Sequence, residues 1–385
     1  MKLSRRNFLA GLGVATAGLL QKGGLRLRQE EDVVASAQCL FPLVFIHGIK
    51  GSVLSRPQGG VRWLTGWQAF GLASPDLSLP LQWHGVVQQS DGLVAQVPLR
   101  TVAWQDIYAP FLNWAATSNR PFRAFAYDWR RDNLENTEKS IQFLETVSQE
   151  NGGVRIQVAA HSMGGLITFV ALNRRPDLFH SVLFAGVPFR STLSFLEDMH
   201  AGTATGFNRR ILRPQVLFTF ASPYSFFPTE PDAAGLVELN GDRIVHDWYS
   251  ADDWARQKLG IFATSESDHV GAEQLEHLRR ALDRAREFRD LLVFEKEGPI
   301  RYPPIAVLAS DRHPTLSTAV RGGPVAVRGW DFHTATREPG DGRVEFAKAM
   351  PPEGVPYAVH KTAREHGELL NDPRQVAAIL EQLCK

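Results

Sequence analysis

A doubly wound, mainly parallel α/β sheet is the fold this sequence predicts, on three observations. Short apolar runs alternate with amphipathic helical stretches for most of its length. Several of those runs, such as Phe41-Pro-Leu-Val-Phe-Ile46 and Ser181-Val-Leu-Phe-Ala-Gly-Val-Pro188, lack the in-out alternation of a half-exposed strand, as expected for strands covered on both faces. Finally, Val154-Arg-Ile-Gln-Val-Ala-Ala-His-Ser-Met-Gly-Gly165 passes from an apolar run through a small-X-Ser-X-Gly turn into a helical pattern. With 385 residues, the chain is long enough for one large domain with insertions. Its 44% hydrophobic and 22% charged residues describe an ordinary globular protein, and a net charge of +1 gives no reason to expect nucleic acid as a partner.

Taken in order, the chain begins with Ser4-Arg5-Arg6-Asn-Phe8-Leu9 and a modest apolar stretch to Leu20, which match a twin-arginine export signal. Gly11, Gly13 and Gly18 interrupt that stretch, which is shorter than the roughly 20 residues needed to span a bilayer. Cleavage sites are offered after Ala15-Thr-Ala17 and after Ala35-Ser-Ala37, so residues 1–37 are assigned to the signal and linker and residues 38–385 to the folded domain. The expected location is periplasmic or extracellular, with membrane association as a variant of it. Cys39 and Cys384 are too few for a disulfide framework and show no metal-ligand spacing; one bridge between them and two separate thiols both fit. No metal and no cofactor is expected.

The run Phe41 to Ile46 predicts a buried strand, and His47-Gly-Ile-Lys-Gly51 is the loop leaving it. From Ser55 to about Arg100 the chain is rich in Gly, Pro and Gln and carries Trp63, Trp67, Phe70 and Trp83. This pattern fits a lid over an apolar pocket, a membrane-contacting surface or a small packed subdomain. Phe122 to Arg130 predicts a strand and its exit turn, with Asp128 and Arg130 expected to pair and fix the loop. An amphipathic helix follows over Glu135 to Ser148, and Gly152-Gly153 end it.

After the serine turn, Leu166, Ile167, Phe169, Val170 and Leu172 mark a helix, and Ser181 to Pro188 a further strand. Residues from about 190 to 300 break the rhythm with clusters such as Ser225-Phe-Phe-Pro228, then a charged helix with Leu275, Leu278, Leu282 and Ala285 on one face. They read as an inserted cap. Strands resume at Pro304-Ile-Ala-Val-Leu-Ala309 and Tyr357-Ala-Val359, and Pro373 to Leu383 closes the chain as a helix.

The serine turn carries the chemistry. A serine between strand and helix in a strained backbone needs small residues two before and two after it, here Ala160 and Gly164. Ser162 is therefore the candidate nucleophile, and the backbone N–H groups of Met163 and Ile49 are candidates for an oxyanion hole. A serine hydroxyl needs an imidazole base held by a carboxylate, and on this kind of sheet the chain order is Ser, acid, His. His366 lies between the last strand and the last helix, where a base can fold back over the sheet. His313 and His333 come before a late acid, and His360 belongs to a strand. Two acids compete. Asp311 directly follows a strand, and Asp341 lies between Gly340 and Gly342, which allow a sharp turn.

Tyr-Asp-Trp-Arg-Arg (127–131), Ala-His-Ser-Met-Gly (160–164), Gly-Asp-Gly-Arg-Val (340–344) and Glu-His-Gly-Glu-Leu-Leu (365–370), in that order, resemble the lecithin:cholesterol acyltransferase family, which includes lysosomal phospholipase A2. The resemblance implies an α/β-hydrolase fold, a triad of Ser162, Asp341 and His366, and action on acyl esters of lipids. A serine esterase of lipase or phospholipase type is the expected activity. An O-acyltransferase, and a lipid-binding protein with a silent site, are its alternatives. The animal members have Pro-Gly where this chain has His47-Gly48, and no cysteine lies between Cys39 and Cys384 to staple a lid. The expected partners are a lipid or acyl-ester substrate and, transiently, a membrane surface.

Overall fold

The computed structural model describes residues 40–229, 235–263, 270–294 and 302–385. Contacts divide the chain into Met1–Gln38 and Cys39–Lys385. The expected export signal, and Cys39, lie outside the described residues, whereas Cys384 is disulfide-bonded. Among the described residues no helix is long and apolar enough to cross a membrane.

Six strands form the central sheet: β1 Leu43–Ile46, β2 Phe122–Phe125, β3 Ile156–His161, β4 Phe179–Ala185, β5 Ile305–Ser310 and β6 Ala358–Thr362. Every neighbouring pair is parallel, in the spatial order β6-β5-β4-β3-β1-β2. Strands β1, β3 and β5 are buried at every position, which is why they read as unbroken apolar runs. Among the described residues the helices of eight or more residues are α1 Ala109–Thr117, α2 Asn133–Glu150, α3 Met163–Arg174, α4 Ser194–Ala201, α5 Ala272–Asp290 and α6 Pro373–Gln382.

Strand parity divides the core between the two faces. Val44, Ile46, Val158 and Val182 pack with Leu144, Leu166 and Phe169 of α2 and α3. Their alternates Leu43, Phe45, Ala159 and Leu183 pack with Phe111 of α1 and Val376 and Ile379 of α6. This is the α/β-hydrolase fold. The chain steps outward from β1 to β2, then returns to the far side of β1 with β3. Loops leaving the C-terminal ends of β1 and β3 therefore diverge, which opens a crevice there.

Two elements depart from the expected pattern, and two segments gain detail. Helix α1 has no clear signal because it is short and its N-cap residue, Tyr108, makes no side-chain capping bond. Strand β6 runs to Thr362, past the expected Val359, since an edge strand half open to solvent has no apolar run to mark its end. Residues 55–100 hold secondary structure of their own. Ser52–Ser55, Val61–Trp63 and Val94–Pro98 make a three-stranded antiparallel sheet, and Trp63 is buried with its indole N–H donating to the Lys50 carbonyl at 3.1 Å. The described part of residues 190–300 holds α4, a hairpin of Thr203–Thr205 with Asn208–Leu212, and α5, whose Arg284 reaches Asp132 at the N-cap of α2 with 2.7 Å between the charged atoms.

Candidate active site

The loops after β1, β3, β4 and β6 and the segment before α4 enclose a cleft of about 370 Å3, and Ser162 and His366 both line it. Ser162 stands between β3 and α3 with φ 51° and ψ −127°, a left-handed backbone that a non-glycine residue adopts only under strain. Close packing enforces that turn. A Cβ on Gly164 would stand 2.3 Å from the His47 carbonyl oxygen, one on Gly165 2.1 Å from the Val187 side chain, and one on Gly48 2.8 Å from Ser162 Cβ. The loop after β1 is thus pressed against the serine.

Ser162 Oγ lies 2.9 Å from His366 Nε2, and His366 Nδ1 lies 2.8 Å from Asp341 Oδ2. With the Nδ1 proton donated to the carboxylate, Nε2 is left to accept the serine proton. Asp341 Oδ1 accepts from the backbone N–H groups of Arg343 at 2.9 Å and Val344 at 2.7 Å, and the His366 N–H donates to the Asp341 carbonyl at 2.8 Å. Burial works against the charged carboxylate, but His366 and these N–H donors outweigh it and hold Asp341 below the usual carboxylate range.

The two flanking glycines have different reasons. Gly342 adopts φ +88°, while at Gly340 a Cβ would meet Thr315 Oγ1 at 2.3 Å. Asp341 reaches the site because the chain leaves β5 through a ladder of His313–Leu316 with Arg337–Gly340 that returns it to the sheet edge. Asp311, by contrast, is bonded to Lys361 at 2.7 Å and does not line the cleft. His313 bonds the Ala363 carbonyl at 2.8 Å, and His360 lies within β6.

Met163 opens α3, so its N–H is one of the unpaired donors at a helix N-terminus. Among the described residues, neither its N–H nor that of Ile49, which lines the cleft, has an acceptor. Both are free to meet an oxyanion.

Two residues that the sequence reading passed over complete the site. The Gly48 N–H donates to Tyr108 Oη at 3.1 Å, Tyr108 Oη lies 2.8 Å from His161 Nδ1, and His161 Nε2 lies 2.9 Å from the His366 carbonyl. Burial pulls the His161 imidazole down to about 3, so it is neutral, with the tyrosine hydroxyl donating to Nδ1 and Nε2–H donating to the carbonyl. A chain of hydrogen bonds so ties the loop after β1 to the histidine loop. Only Tyr108 in the loop before α1 offered a signal, a lone tyrosine beside an apolar run. Asp128 and Arg130 pair as expected, at 2.7 Å between charged atoms, and Asp91 joins them on Arg130 at 2.7 Å.

Comparison with known proteins adds three findings. The family model described as lecithin:cholesterol acyltransferase matches residues 93–215, a stretch that includes Ser162 and Met163 and stops before Asp341 and His366. An uncharacterized protein of Saccharomyces cerevisiae is 21% identical over an alignment of 323 residues that covers 68% of this chain and 49% of that protein. Lecithin-cholesterol acyltransferase-like 4 of Arabidopsis thaliana is 26% identical over 107 residues, 25% of this chain and 20% of its own length. The chain thus spans half or less of these curated relatives. Among solved structures, a chain of the Tle4-Tli4 complex superposes with a TM-score of 0.57 at 13% identity, covering 90% of this chain and 98% of that one, a likeness of fold.

Proposed function

We propose that this chain, whose residues 93–215 match the lecithin:cholesterol acyltransferase model, hydrolyses or transfers the acyl groups of lipid esters, and that it is an exported serine esterase whose acyl-enzyme forms on Ser162. The observation that carries this reading is the unbroken line from Ser162 Oγ through His366 to Asp341, at 2.9 and 2.8 Å, on the wall of an open cleft. His366 takes the hydroxyl proton as Ser162 attacks the ester carbonyl. The oxyanion that develops meets the N–H groups of Ile49 and Met163, and the proton passes to the departing alcohol. Water then repeats the sequence against the acyl-serine. An alcohol acceptor in its place would make the same site a transferase.

A lipid surface as the source of substrate is supported by a cluster of exposed side chains. Phe70 lies 5.1 Å from Trp104 and 5.9 Å from Phe207 between ring centres, with Trp67 and Leu72 exposed beside them. The neighbouring Val102, Gln105, Thr205 and Gly206 line the cleft, so the rings border its mouth. Aromatic side chains of this kind settle in the interface between headgroups and acyl chains.

A fluorophosphonate probe tests the central claim: it should label the wild type and leave Ser162→Ala unlabelled. Labelling that persists in Ser162→Ala would overturn the assignment of the nucleophile. Export is read from Arg5 and Arg6. Replacing both by Lys should retain the protein in the cytoplasm, and normal appearance outside the inner membrane would remove the twin-arginine reading.

A further inference from the structure

A trans peptide points the N–H of one residue opposite to the carbonyl of the residue before it, so the Ile49 N–H aims where the Gly48 carbonyl faces away. That carbonyl is held from two sides. The Gly51 N–H donates to it at 3.1 Å, and His47 Nδ1 lies 2.8 Å from it. His47 is fully buried and stays out of the cleft that Ile49, Lys50 and Gly51 line. Its ring fills the inside of the turn, since a Cβ on Gly51 would stand 2.7 Å from Nδ1.

The other ring nitrogen decides where the proton sits. The Tyr127 backbone N–H, which can only donate, meets His47 Nε2 at 3.3 Å. Nε2 is therefore the acceptor. Burial pulls the imidazole down to about 4 and keeps it neutral at neutral pH, so its one proton is on Nδ1 and is donated to the Gly48 carbonyl. The ring has little freedom to turn away. It stacks on Tyr127 with 4.2 Å between ring centres and 4° between planes, and the Tyr127 hydroxyl donates to the His47 carbonyl at 2.7 Å. The turn itself needs such a hold. Lys50 has φ +63° at the third position of a turn closed by Gly48 and Gly51, where glycine is the unstrained choice. A strained turn keeps its shape only where its surroundings over-determine it. His47 also stands where the animal members of the family this chain resembles have proline, which has no side-chain donor to offer.

We propose that His47 is a positioning residue for the reaction at Ser162: its Nδ1–H holds the Gly48–Ile49 peptide so that the Ile49 N–H faces the oxyanion. The inference rests on the Ser162 reading and deepens it by naming what orients one of the two donors. His47 acts through the peptide alone. Binding of the ground-state ester is untouched, and the cost of losing the imidazole falls on the step in which negative charge develops.

Two substitutions separate the ring nitrogens. An Asn amide reaches about as far as Nδ1 and a Gln amide about as far as Nε2, so His47→Asn keeps a donor for Gly48 while His47→Gln keeps only the acceptor for Tyr127. On a soluble short-chain ester, His47→Gln should lower kcat on the order of 100-fold with KM near the parent value, as for loss of one oxyanion donor. It should weaken a trifluoromethyl ketone inhibitor by a similar factor. In that adduct Ser162 Oγ bonds to the ketone carbon, the serine proton passes to His366, and the former carbonyl oxygen stays in the hole as an anion. His47→Asn should recover most of both losses. A purely structural role would instead lower activity in both variants in step with their melting temperatures, and equal kcat in the two would overturn the proposal. The wild type supplies a check that needs no substitution. Nitrogen NMR of its imidazoles should show His47 neutral with the proton on Nδ1, and a proton on Nε2 would overturn the proposal by itself. Fluorophosphonate labelling of the wild type keeps the two claims apart. A labelled wild type with equal kcat in the two variants refutes the role of His47 alone, and an unlabelled wild type refutes the Ser162 reading.

Discussion

At the scale of single residues, the identity of the acid is decided by where each candidate carboxylate can reach. Asp311 directly follows β5, but its carboxylate turns to Lys361 on the neighbouring edge strand. Asp341 is buried, accepts two backbone N–H groups and one imidazole N–H, and so has a fixed direction. An amide there would present a donor to Nδ1 and hold His366 in the wrong tautomer. Asp341→Asn should lower kcat on the order of 10⁴-fold, while Asp311→Asn stays near the parent rate. The measurement is kcat on a soluble short-chain ester beside a melting curve, and equal losses in the two variants would count against the assignment. The glycines beside Asp341 were legible as a turn. The Tyr108–His161 link was not, because it joins groups 53 residues apart that only the sheet brings together.

At the scale of elements, residues 55–100 combine two roles that composition alone mixed. Trp63 is 2% exposed and Trp67 is 71% exposed, although both stand in one Gly-rich and aromatic stretch. Trp63 belongs to the core of the small sheet, with its ring 5.2 Å from that of Trp129. Trp63→Ala should therefore cost about 3–5 kcal/mol of stability, the usual range for truncating a buried tryptophan, and reduce activity on every substrate in parallel. Trp67→Ala should leave the melting temperature close to the parent and reduce activity on vesicles relative to a soluble ester. Thermal melts and a two-substrate assay check both. A Trp67 variant with equal losses on vesicles and soluble ester would rule out the surface role.

At the scale of the whole molecule, buried histidines set an acid limit. Burial pulls His47, His200, His246 and His277 down to about 4 and His161 to about 3, against 6.5 for an exposed imidazole. His246 has no hydrogen-bond partner on either ring nitrogen among the described residues. Well above pH 6.5 these groups are neutral whether the chain is folded or not, and stability is at its full value. As pH falls from 6.5 toward 4 the unfolded chain takes up protons that the folded one refuses, and each histidine lowers stability by about 1.4 kcal/mol per pH unit. Below about pH 4 the carboxylates of Asp341 and Asp198, both held below their ordinary range, lose their own contribution as they protonate. Melting temperature should thus fall steeply between pH 6.5 and 4.5. A flat profile over that interval would mean that these histidines are charged in the folded protein.

The sequence by itself determined the doubly wound sheet, because strands covered on both faces must be apolar throughout and the helices between them must be amphipathic. It also determined the serine turn, whose small residues two before and two after the serine stand within five positions of one another, although the contacts that require Gly164 to be small come from His47 on a neighbouring strand's loop. The C-terminal extent of edge strand β6, helix α1 and the split between Trp63 and Trp67 were decided only by the tertiary structure, since their burial depends on neighbours distant in the chain. The same holds for the site. His366 and Asp341 were legible as candidates from their loops and motifs, but their distances, the tether through Tyr108 and His161, and the hold of Tyr127 on His47 arise where loops from several strands converge. Local sequence records what each residue requires of its own backbone, and only the closed sheet brings these side chains within hydrogen-bonding range.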